Sequence, residues 1–159
     1  MSDASGPLRK RRDDPWPDVP EARRRVMRGN KSKDTTPEVA FRRLLHAQGY
    51  RFRLHRKDLP GSPDLVFPSR RKVVFIHGCY WHGHEGCRRA NVPKTNAGFW
   101  SAKIDANRSR DARNLALLAE AGWQSLVVWE CELANPECVT QRSRDFLKPP
   151  GGRMSRKPA

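Results

Sequence analysis

Four side chains have the types and spacing to hold a metal ion: Cys79, His84, Cys87 and Cys131. The first three lie in one short loop with the pattern Cys-x4-His-x2-Cys, and the fourth comes much later in the chain. Zinc in proteins is held by four sulfur or nitrogen donors arranged as a tetrahedron, which such a loop and a distant strand end can supply. Two further donors, His82 and Cys138, leave the ligand set open; we favour His84 because His82 suits a different role. Buried cysteines without a metal are the alternative.

Asp64 is a candidate ligand for a second kind of metal. It closes the segment 59–64, Leu-Pro-Gly-Ser-Pro-Asp, and begins a short apolar run typical of a strand. A carboxylate at the start of a strand, beside a neighbouring strand, is how many metal-dependent nucleases bind Mg²⁺. Glu38 and Asp111 fall on the helices before and after the sheet and could face the same point. The alternative is a turn aspartate without chemistry, since Asp is common in turns.

Tyr80, Trp81 and His82 form a third group. Two adjacent aromatic side chains diverge, so a polar loop does not easily bury both, and exposed aromatics on a basic protein are candidates for stacking on bases. His82 beside them could act as a general base, because the unperturbed imidazole pKa of about 6.5 is close to physiological pH. The alternatives are that one ring covers the core and that His82 is a metal ligand.

The basic excess of the chain indicates a polyanionic partner. Among 159 residues, 32 are Lys or Arg and 17 are Asp or Glu, which gives a formal net charge of +15. Nucleic acid is the commonest partner of such a chain, and a solvated basic surface without specific contacts is the alternative. Candidate phosphate contacts lie on the second helical stretch and in an N-terminal arm: Lys103, Asn107, Arg108, Arg110, Arg113 and the segment Arg23–Arg28.

The elements that must position these groups follow from hydrophobic spacing. Thr35-x-x-Glu38 has the spacing of a capping box, and apolar residues at helical intervals predict a helix from Thr35 or Thr36 to Gly49. Strands are predicted over 50–54, 64–67 and 72–76, a second helix over 99–120 and a buried strand over 125–129. The order α-β-β-β-α-β predicts an α/β fold, a small sheet with helices packed against it.

Composition divides the chain into three parts. Residues 1–20 are rich in Pro, Asp, Arg and Ser and are expected to be a disordered tail. A single domain is predicted over 21–135, beginning with an Arg-rich arm at 21–34. Residues 136–159 are predicted to be a basic, largely disordered tail with a short helix around 139–147. No apolar run approaches the roughly 18 residues of a membrane span, and no secretory signal is present, so no membrane partner is expected.

Four motifs together resemble the very short patch repair (Vsr) endonucleases. They are Leu59-Pro-Gly-Ser-Pro-Asp64, Phe75-Ile-His-Gly-Cys-Tyr-Trp-His82, Phe99-Trp-x-x-Lys103 and Val128-Trp-Glu-Cys131. The likeness runs from about Met27 to Leu133 and thus covers most of the folding chain. The second motif followed by the fourth is highly specific to this family.

The resemblance implies a restriction-endonuclease-like fold, with a mixed central sheet flanked by helices and a structural zinc site. It also implies an enzyme that nicks one DNA strand on the 5′ side of the T in a T:G mismatch, the lesion left when 5-methylcytosine deaminates. The implied reaction is Mg²⁺-dependent phosphodiester hydrolysis on double-stranded DNA, with general mismatch-repair proteins as candidate partners. We expect a monomer, because nicking one strand needs one active site, and we expect it to act at the nucleoid in the bacterial cytoplasm.

The resemblance further implies roles for individual residues. The catalytic positions are Asp64, His82, His77, Asp111 and Glu38, with Mg²⁺ on Asp64 and on the backbone carbonyl of Ile76, and with His82 as the general base. The zinc ligands are Cys79, His84, Cys87 and Cys131. The DNA-binding positions include Tyr80 and Trp81, an aromatic wedge beside the mismatch, and Met27, which enters from the other groove.

Two rival functions are compatible with parts of the sequence. A zinc-stabilised, non-catalytic DNA-binding module would explain the charge, the cysteines and the aromatics, but it leaves Asp64 and His82 without a role. A restriction-type nuclease with another target is the second rival. Restriction-type nucleases usually carry Asp/Glu-x-Lys on the second strand; this chain has Phe75-Ile76-His77 there and lacks the lysine, a departure that the Vsr family shares.

Overall fold

The computed structural model describes residues 33–92, 94 and 96–150. The predicted tail at 1–20, nearly all of the arm including Met27, and the chain end at 151–159 lie outside these residues. The described helices and strands are α1 (Thr36–Ala47), β1 (Arg53–Leu54), β2 (Leu65–Phe67), β3 (Lys72–His77), α2 (Ala97–Glu120), β4 (Gln124–Trp129) and α3 (Pro136–Leu147). This order confirms the predicted α-β-β-β-α-β succession and the short helix expected around 139–147, which begins at Pro136.

Helix α1 begins close to the predicted residue, but its cap differs from a full capping box. The Thr35 side chain does not accept from the backbone N–H of the first turn; instead its hydroxyl donates to Glu38 Oε1 at 2.9 Å. Glu38 Oε2 accepts the backbone N–H of Asp34 at 2.9 Å. The carboxylate of Glu38 is therefore used to begin the helix.

The four strands form one mixed sheet in the order β1-β2-β3-β4. Strands β2 and β3 make an antiparallel hairpin, with Leu65 opposite Val74. Strand β4 pairs parallel to β3, with Ile76 opposite Val128 and His77 opposite Trp129. The parallel pair needs the long crossover through α2, which places that helix against the sheet.

Alternating side chains of β3 divide the core between the two faces of the sheet. Val74 and Ile76 pack in the larger cluster, which includes buried residues of α1 and α3. Val73 and Phe75 pack in the smaller cluster with Leu118 of α2. Because side chains two residues apart share a face, His77 follows Phe75 onto the α2 side.

Two predicted boundaries need correction. Strand β1 pairs only over Arg53–Leu54 instead of 50–54, because the buried Tyr50 leaves the sheet and its hydroxyl donates to the carbonyl of Lys148 at 2.9 Å. The domain does not end at 135: Val139 and Leu147 of α3 are almost fully buried in the larger core cluster. Among the helices that the structure describes, none is long and apolar enough to cross a membrane.

Candidate active site and metal-binding cluster

Asp64 lies where β2 and β3 diverge. Its Oδ2 accepts the backbone N–H of Ile76 at 2.7 Å, one residue beyond the ordinary strand pairs. The carboxyl group is largely buried, and this burial raises its pKa to about 6, although the hydrogen bond from Ile76 opposes the shift. The negative charge of Glu38 raises the pKa of Asp64 further. Because burial and a neighbouring negative charge disfavour the ionised carboxylate, a cation bound beside Asp64 would stabilise it.

His77, His82 and Asp111 form one compact group on the α2 side of the sheet. The rings of His77 and His82 stack with centroids 3.9 Å apart and planes 10° from parallel. His82 Nδ1 lies 2.5 Å from Asp111 Oδ2. Since an ionised carboxylate only accepts hydrogen bonds, the hydrogen of neutral His82 is on Nδ1 and the lone pair is on Nε2. His82 thus has the tautomer that a general base needs.

His77 is the buried member of this group. Burial, and then the charge of His82, lower the pKa of His77 to about 4, against an opposing effect of Asp111. His77 is therefore neutral at physiological pH. Its ring orients His82 from one side without adding a second positive charge beside it.

The loop that carries His82 approaches α2 very closely at Gly83. Gly83 has a φ of +61°, and a Cβ there would lie 2.6 Å from Cγ2 of Ile104. Both the left-handed backbone and the short contact require glycine. This approach brings His82 to Asp111, which lies on the same helix as Ile104.

The structure brings the four predicted metal ligands Cys79, His84, Cys87 and Cys131 into one cluster. Their donor atoms all lie within 4.8 Å of one another, and His84 Nδ1 is 3.6 Å from Cys79 Sγ and 3.3 Å from Cys131 Sγ. Tetrahedral zinc with ordinary bond lengths would place sulfur and nitrogen ligands about 3.6 Å apart. The alternative donors are elsewhere: His82 pairs with Asp111, and Cys138 is exposed on α3.

The cluster thiols differ in their tendency to ionise. Burial raises the pKa of Cys79 to about 12 and also raises that of Cys131, whereas the backbone N–H of Arg89 lowers the pKa of Cys87. A metal binds thiolates, so its binding would release protons from the buried cysteines.

Aromatic rings connect the cysteine cluster to the histidine pair. The ring of His84 stacks on Trp129 with centroids 4.1 Å apart and planes 3° from parallel. Trp129 meets His77 edge-to-face at 5.4 Å, and His77 stacks on His82. Trp129, which the sequence indicated only as part of a motif, therefore packs between the two sites.

Tyr80 and Trp81 belong to a larger aromatic group than the sequence indicated. Their rings meet edge-to-face at 5.0 Å, and both contact the buried Trp100, at 5.9 Å and 6.1 Å. Lys103 Nζ lies 5.7 Å from the ring centres of both tryptophans, a cation–π geometry. Tyr80 and Trp81 are half-buried, so Trp100 is their support on α2.

Two predicted DNA-binding residues of α2 have contacts within the protein. Asn107 Nδ2 donates to the carbonyl of Trp81 at 2.8 Å, and Arg110 donates to Asn107 Oδ1 at 3.0 Å. Asn107 thereby stabilises the backbone of the loop that carries Tyr80 and Trp81.

Comparison with known proteins identifies the family. The family model described as DNA mismatch endonuclease Vsr matches residues 18–89. The chain is also 58% identical over 130 residues to the type II nicking enzyme V.XorIIP of Xanthomonas oryzae pv. oryzae, across 82% of this chain and 95% of that protein. The chain belongs to the Vsr endonuclease family.

Other Vsr relatives agree with this assignment. The DNA mismatch endonuclease Vsr of Escherichia coli is 42% identical over 121 residues, which is 76% of this chain and 77% of that protein. The type II nicking enzyme V.NmeAIP of Neisseria meningitidis is 44% identical over 117 residues, 74% of this chain and 83% of that protein. The family resemblance predicted from the motifs is confirmed.

In this Vsr-family chain, sequence reasoning did not single out Arg42 and His55. Arg42 donates to Glu38 Oε2 at 3.0 Å and contacts His55 Nε2 at 2.8 Å, and His55 Nδ1 lies 3.9 Å from Asp64 Oδ1. Neither residue belongs to a motif, so only the fold places them beside Asp64.

Proposed function

We propose that this Vsr-family endonuclease nicks one DNA strand on the 5′ side of the T in a T:G mismatch by Mg²⁺-dependent hydrolysis. One observation carries the proposal: two consecutive residues of β3 link Asp64 to the His82–Asp111 pair. The N–H of Ile76 binds the Asp64 carboxylate, and the ring of His77 stacks on His82. A carboxylate suited to a metal ion and a histidine suited to proton transfer are thus anchored at one strand end.

Asp64 and the backbone carbonyl of Ile76 would hold the magnesium ion. In an antiparallel pair the N–H and C=O of one residue point to the same side, so this carbonyl is directed toward the Asp64 side of β3. Carboxylate and carbonyl oxygens are the donors that Mg²⁺ takes, and the buried Asp64 gains from a nearby cation. When bound, Mg²⁺ supplies stabilisation of the negative charge that develops on the phosphate.

His82 would take the proton of the attacking water through Nε2. Asp111 accepts from Nδ1, keeps the ring in this tautomer and stabilises the imidazolium that forms. His77 fixes the ring plane of His82 by stacking. Glu38 would support the site indirectly, because its oxygens are engaged by Thr35, Asp34 and Arg42.

Tyr80 and Trp81 would form the wedge that enters the DNA stack beside the mismatch, with the buried Trp100 as their support. A wobble pair stacks poorly, so unstacking it costs less free energy than unstacking a Watson–Crick step, and this difference contributes to selectivity. Lys103 and Arg110 would contact phosphates on either side, while Asn107 supports Trp81. Met27 is proposed to enter from the opposite groove.

Cys79, His84, Cys87 and Cys131 would hold a structural zinc ion. Three sulfurs and one imidazole nitrogen are a donor set typical of structural zinc, and the two ligand separations on His84 agree with tetrahedral geometry. The ion would tie the loop after β3 to the segment after β4. We propose that the enzyme acts as a monomer on double-stranded DNA in the bacterial nucleoid, with general mismatch-repair proteins as candidate partners.

The relatives named type II nicking enzymes favour a second candidate, a nicking enzyme with a different preferred target. Strand-specific nicking of two labelled duplexes, T:G and C:G, would separate the candidates when several flanking sequences are included. We expect a nick on the 5′ side of the T that requires added Mg²⁺ and is absent from the C:G duplex. Equal cutting of both duplexes would favour the second candidate, and binding without cutting in every context would overturn both.

Two variants accompany this experiment: one removes the proposed metal ligand, and the other is its control. Asp64→Ala should bind the T:G duplex as tightly as the wild type but should not nick it. His46→Ala changes an exposed histidine of α1 and should nick at the wild-type rate. Nicking by Asp64→Ala would contradict the proposed metal site.

A further inference from the structure

Arg42 occupies the centre of an acidic cluster beside Asp64. The ligand atoms of Asp34, Glu38 and His55 lie within 4.8 Å of one another, close enough to share a metal ion. The Arg42 guanidinium already lies among them: it donates to Asp34 Oδ1 and to Glu38 Oε2, and its Nη2 is 2.8 Å from His55 Nε2. Arg42 is therefore the cation of this cluster.

The contact with Arg42 determines which nitrogen of His55 carries the hydrogen. A guanidinium has five N–H donors and no acceptor. At 2.8 Å from Nη2, His55 Nε2 must therefore be the acceptor, with its lone pair toward Arg42. The hydrogen of the neutral ring is then on Nδ1. The alternative tautomer would place a hydrogen on Nε2 and direct it at Asp34 Oδ1, which is 3.7 Å away. That hydrogen would then meet the N–H of Arg42, which is much closer.

With this tautomer, the ring nitrogen of His55 that lies near the carboxylate of Asp64 is the one that carries the hydrogen. His55 Nδ1 lies 3.9 Å from Asp64 Oδ1, while Oδ2 of the same group accepts from Ile76 at 2.7 Å. Both side chains are mostly buried, with exposed fractions of 16% and 18%. Each oxygen of Asp64 thus lies near an N–H group from a different part of the fold: Oδ2 is hydrogen-bonded to Ile76, and Oδ1 is 3.9 Å from His55.

The backbone conformation of His55 is an independent sign that the surrounding contacts hold this residue in place. His55 has a φ of +45°, in the left-handed region that non-glycine residues seldom adopt. Strained residues of this kind persist where surrounding contacts hold them, and they concentrate near functional sites. The contact with Arg42 helps to hold His55 in this conformation.

We propose that His55 is a positioning residue for the metal-binding carboxylate of Asp64, with Arg42 selecting its Nδ1–H tautomer. The proposal rests on the proposed function, because it concerns the carboxylate that would bind Mg²⁺. An oriented N–H dipole near Oδ1 limits rotation of the carboxylate and supports its charge. Groups that orient a metal ligand commonly change metal affinity about 10- to 100-fold. The separation of 3.9 Å is longer than a hydrogen bond, so about three- to tenfold is expected here.

Two substitutions of His55 separate this role from a purely structural one. His55→Ala removes the donor, whereas His55→Asn keeps an amide N–H near the position of Nδ1 and tolerates a positive φ. We expect the Mn²⁺ dissociation constant, measured without DNA by electron paramagnetic resonance, to rise about three- to tenfold in His55→Ala and to stay within about twofold in His55→Asn. His46→Ala, an exposed histidine of the same region, is the matched control.

The tautomer can be read directly in the full-length wild type. Long-range proton–nitrogen correlation spectra distinguish the two imidazole nitrogens, and the His55→Ala spectrum identifies the signals of His55. We expect the Nδ1–H form; a neutral Nε2–H form would overturn the assignment to Arg42. Unchanged Mn²⁺ affinity in His55→Ala, or equal losses in the Ala and Asn variants, would overturn the positioning role. A wild type that binds no Mn²⁺ and does not nick would instead overturn the proposed function.

Discussion

Nδ1 of His82 and Oδ2 of Asp111 lie 2.5 Å apart, and this contact determines which nitrogen of His82 can accept a proton. In Asp111→Asn, the amide can present its NH₂ group to Nδ1, which moves the ring hydrogen to Nε2. We expect the single-turnover nicking rate to fall about 10²- to 10⁴-fold, the usual contribution of a positioned general base. DNA affinity should stay within about twofold, because neither residue is in the proposed wedge.

A matched control for this variant is Asp105→Asn. Asp105 is an exposed aspartate of the same helix, and its carboxylate accepts only a long contact from Ser101 at 3.5 Å. It should nick at the wild-type rate. If Asp111→Asn also nicked within about twofold of the wild type, His82 would not be the base.

Asp64→Asn should abolish nicking and yet stabilise the protein in buffers without added Mg²⁺. The pKa of folded Asp64 is about 6, above its ordinary value of 3.8, so the ionised carboxylate favours the unfolded state. Its contribution to stability is present below pH 3.8 and is lost as the pH rises through about 6. We expect urea unfolding at pH 7.5 to show a gain of about 1–2 kcal/mol, part of which is offset by weaker hydrogen bonding to the amide.

The gain in stability of Asp64→Asn should shrink at pH 4, where the carboxyl group of wild-type Asp64 is mostly protonated. Unfolding curves of both proteins at pH 4 and pH 7.5 test this difference without any nicking measurement. An equal effect at both pH values would mean that burial of the charge is not its cause.

The cysteine cluster should carry one zinc ion per chain, and its loss should lower stability. Cys131→Ser removes a ligand that comes from the segment after β4, so both the zinc content and the melting temperature should fall. Cys138→Ser is the matched control, because Cys138 is an exposed cysteine of α3 outside the cluster. Elemental analysis and thermal unfolding measure the two effects. Equal zinc contents in both variants would contradict the ligand assignment.

Trp81→Ala should reduce the preference for nicking mismatched over matched DNA. Stacking of an aromatic side chain on a base contributes about 1–3 kcal/mol, which corresponds to a preference ratio about 5- to 150-fold lower. Trp81→Phe retains a ring and should keep most of the preference. Rates on T:G and C:G duplexes give the ratio, and an unchanged ratio in Trp81→Ala would exclude the wedge.

Gly83→Ala should destabilise the fold and displace His82. A methyl group there would approach Ile104 to 2.6 Å on a backbone with φ of +61°, so we expect a loss of at least about 2 kcal/mol. Gly86→Ala is the control: its φ of +69° is similar, but no atom lies within 4 Å of the added methyl group. It should lose only about 1 kcal/mol. Comparable losses in urea unfolding would show that the close approach to α2 is unimportant.

Much of the fold could be predicted because its signals are local. Helical spacing after Thr36 and apolar runs such as 72–76 identify α1 and β3 with small errors in their ends. The cysteine and histidine spacing predicted the metal-binding cluster for the same reason, since three of its members share one loop.

Contacts between distant elements could not be predicted in this way. Tyr50 has the alternation of a strand residue, but its hydroxyl bonds to Lys148 near the chain end, so β1 begins later. Likewise, Arg42 and His55 belong to no motif, and nothing in their local sequence indicates that they lie beside Asp64. Only the fold, in which α1 packs in the larger core cluster, brings them together.

Strand β3 and the residues directly after it contribute three functional positions, because Ile76 binds Asp64, His77 stacks on His82 and Cys79 joins the cysteine cluster. Inserting or deleting one residue in this strand would move His77 to the opposite face of the sheet and break all three contacts. The length of this stretch is therefore fixed for any working descendant of the sequence.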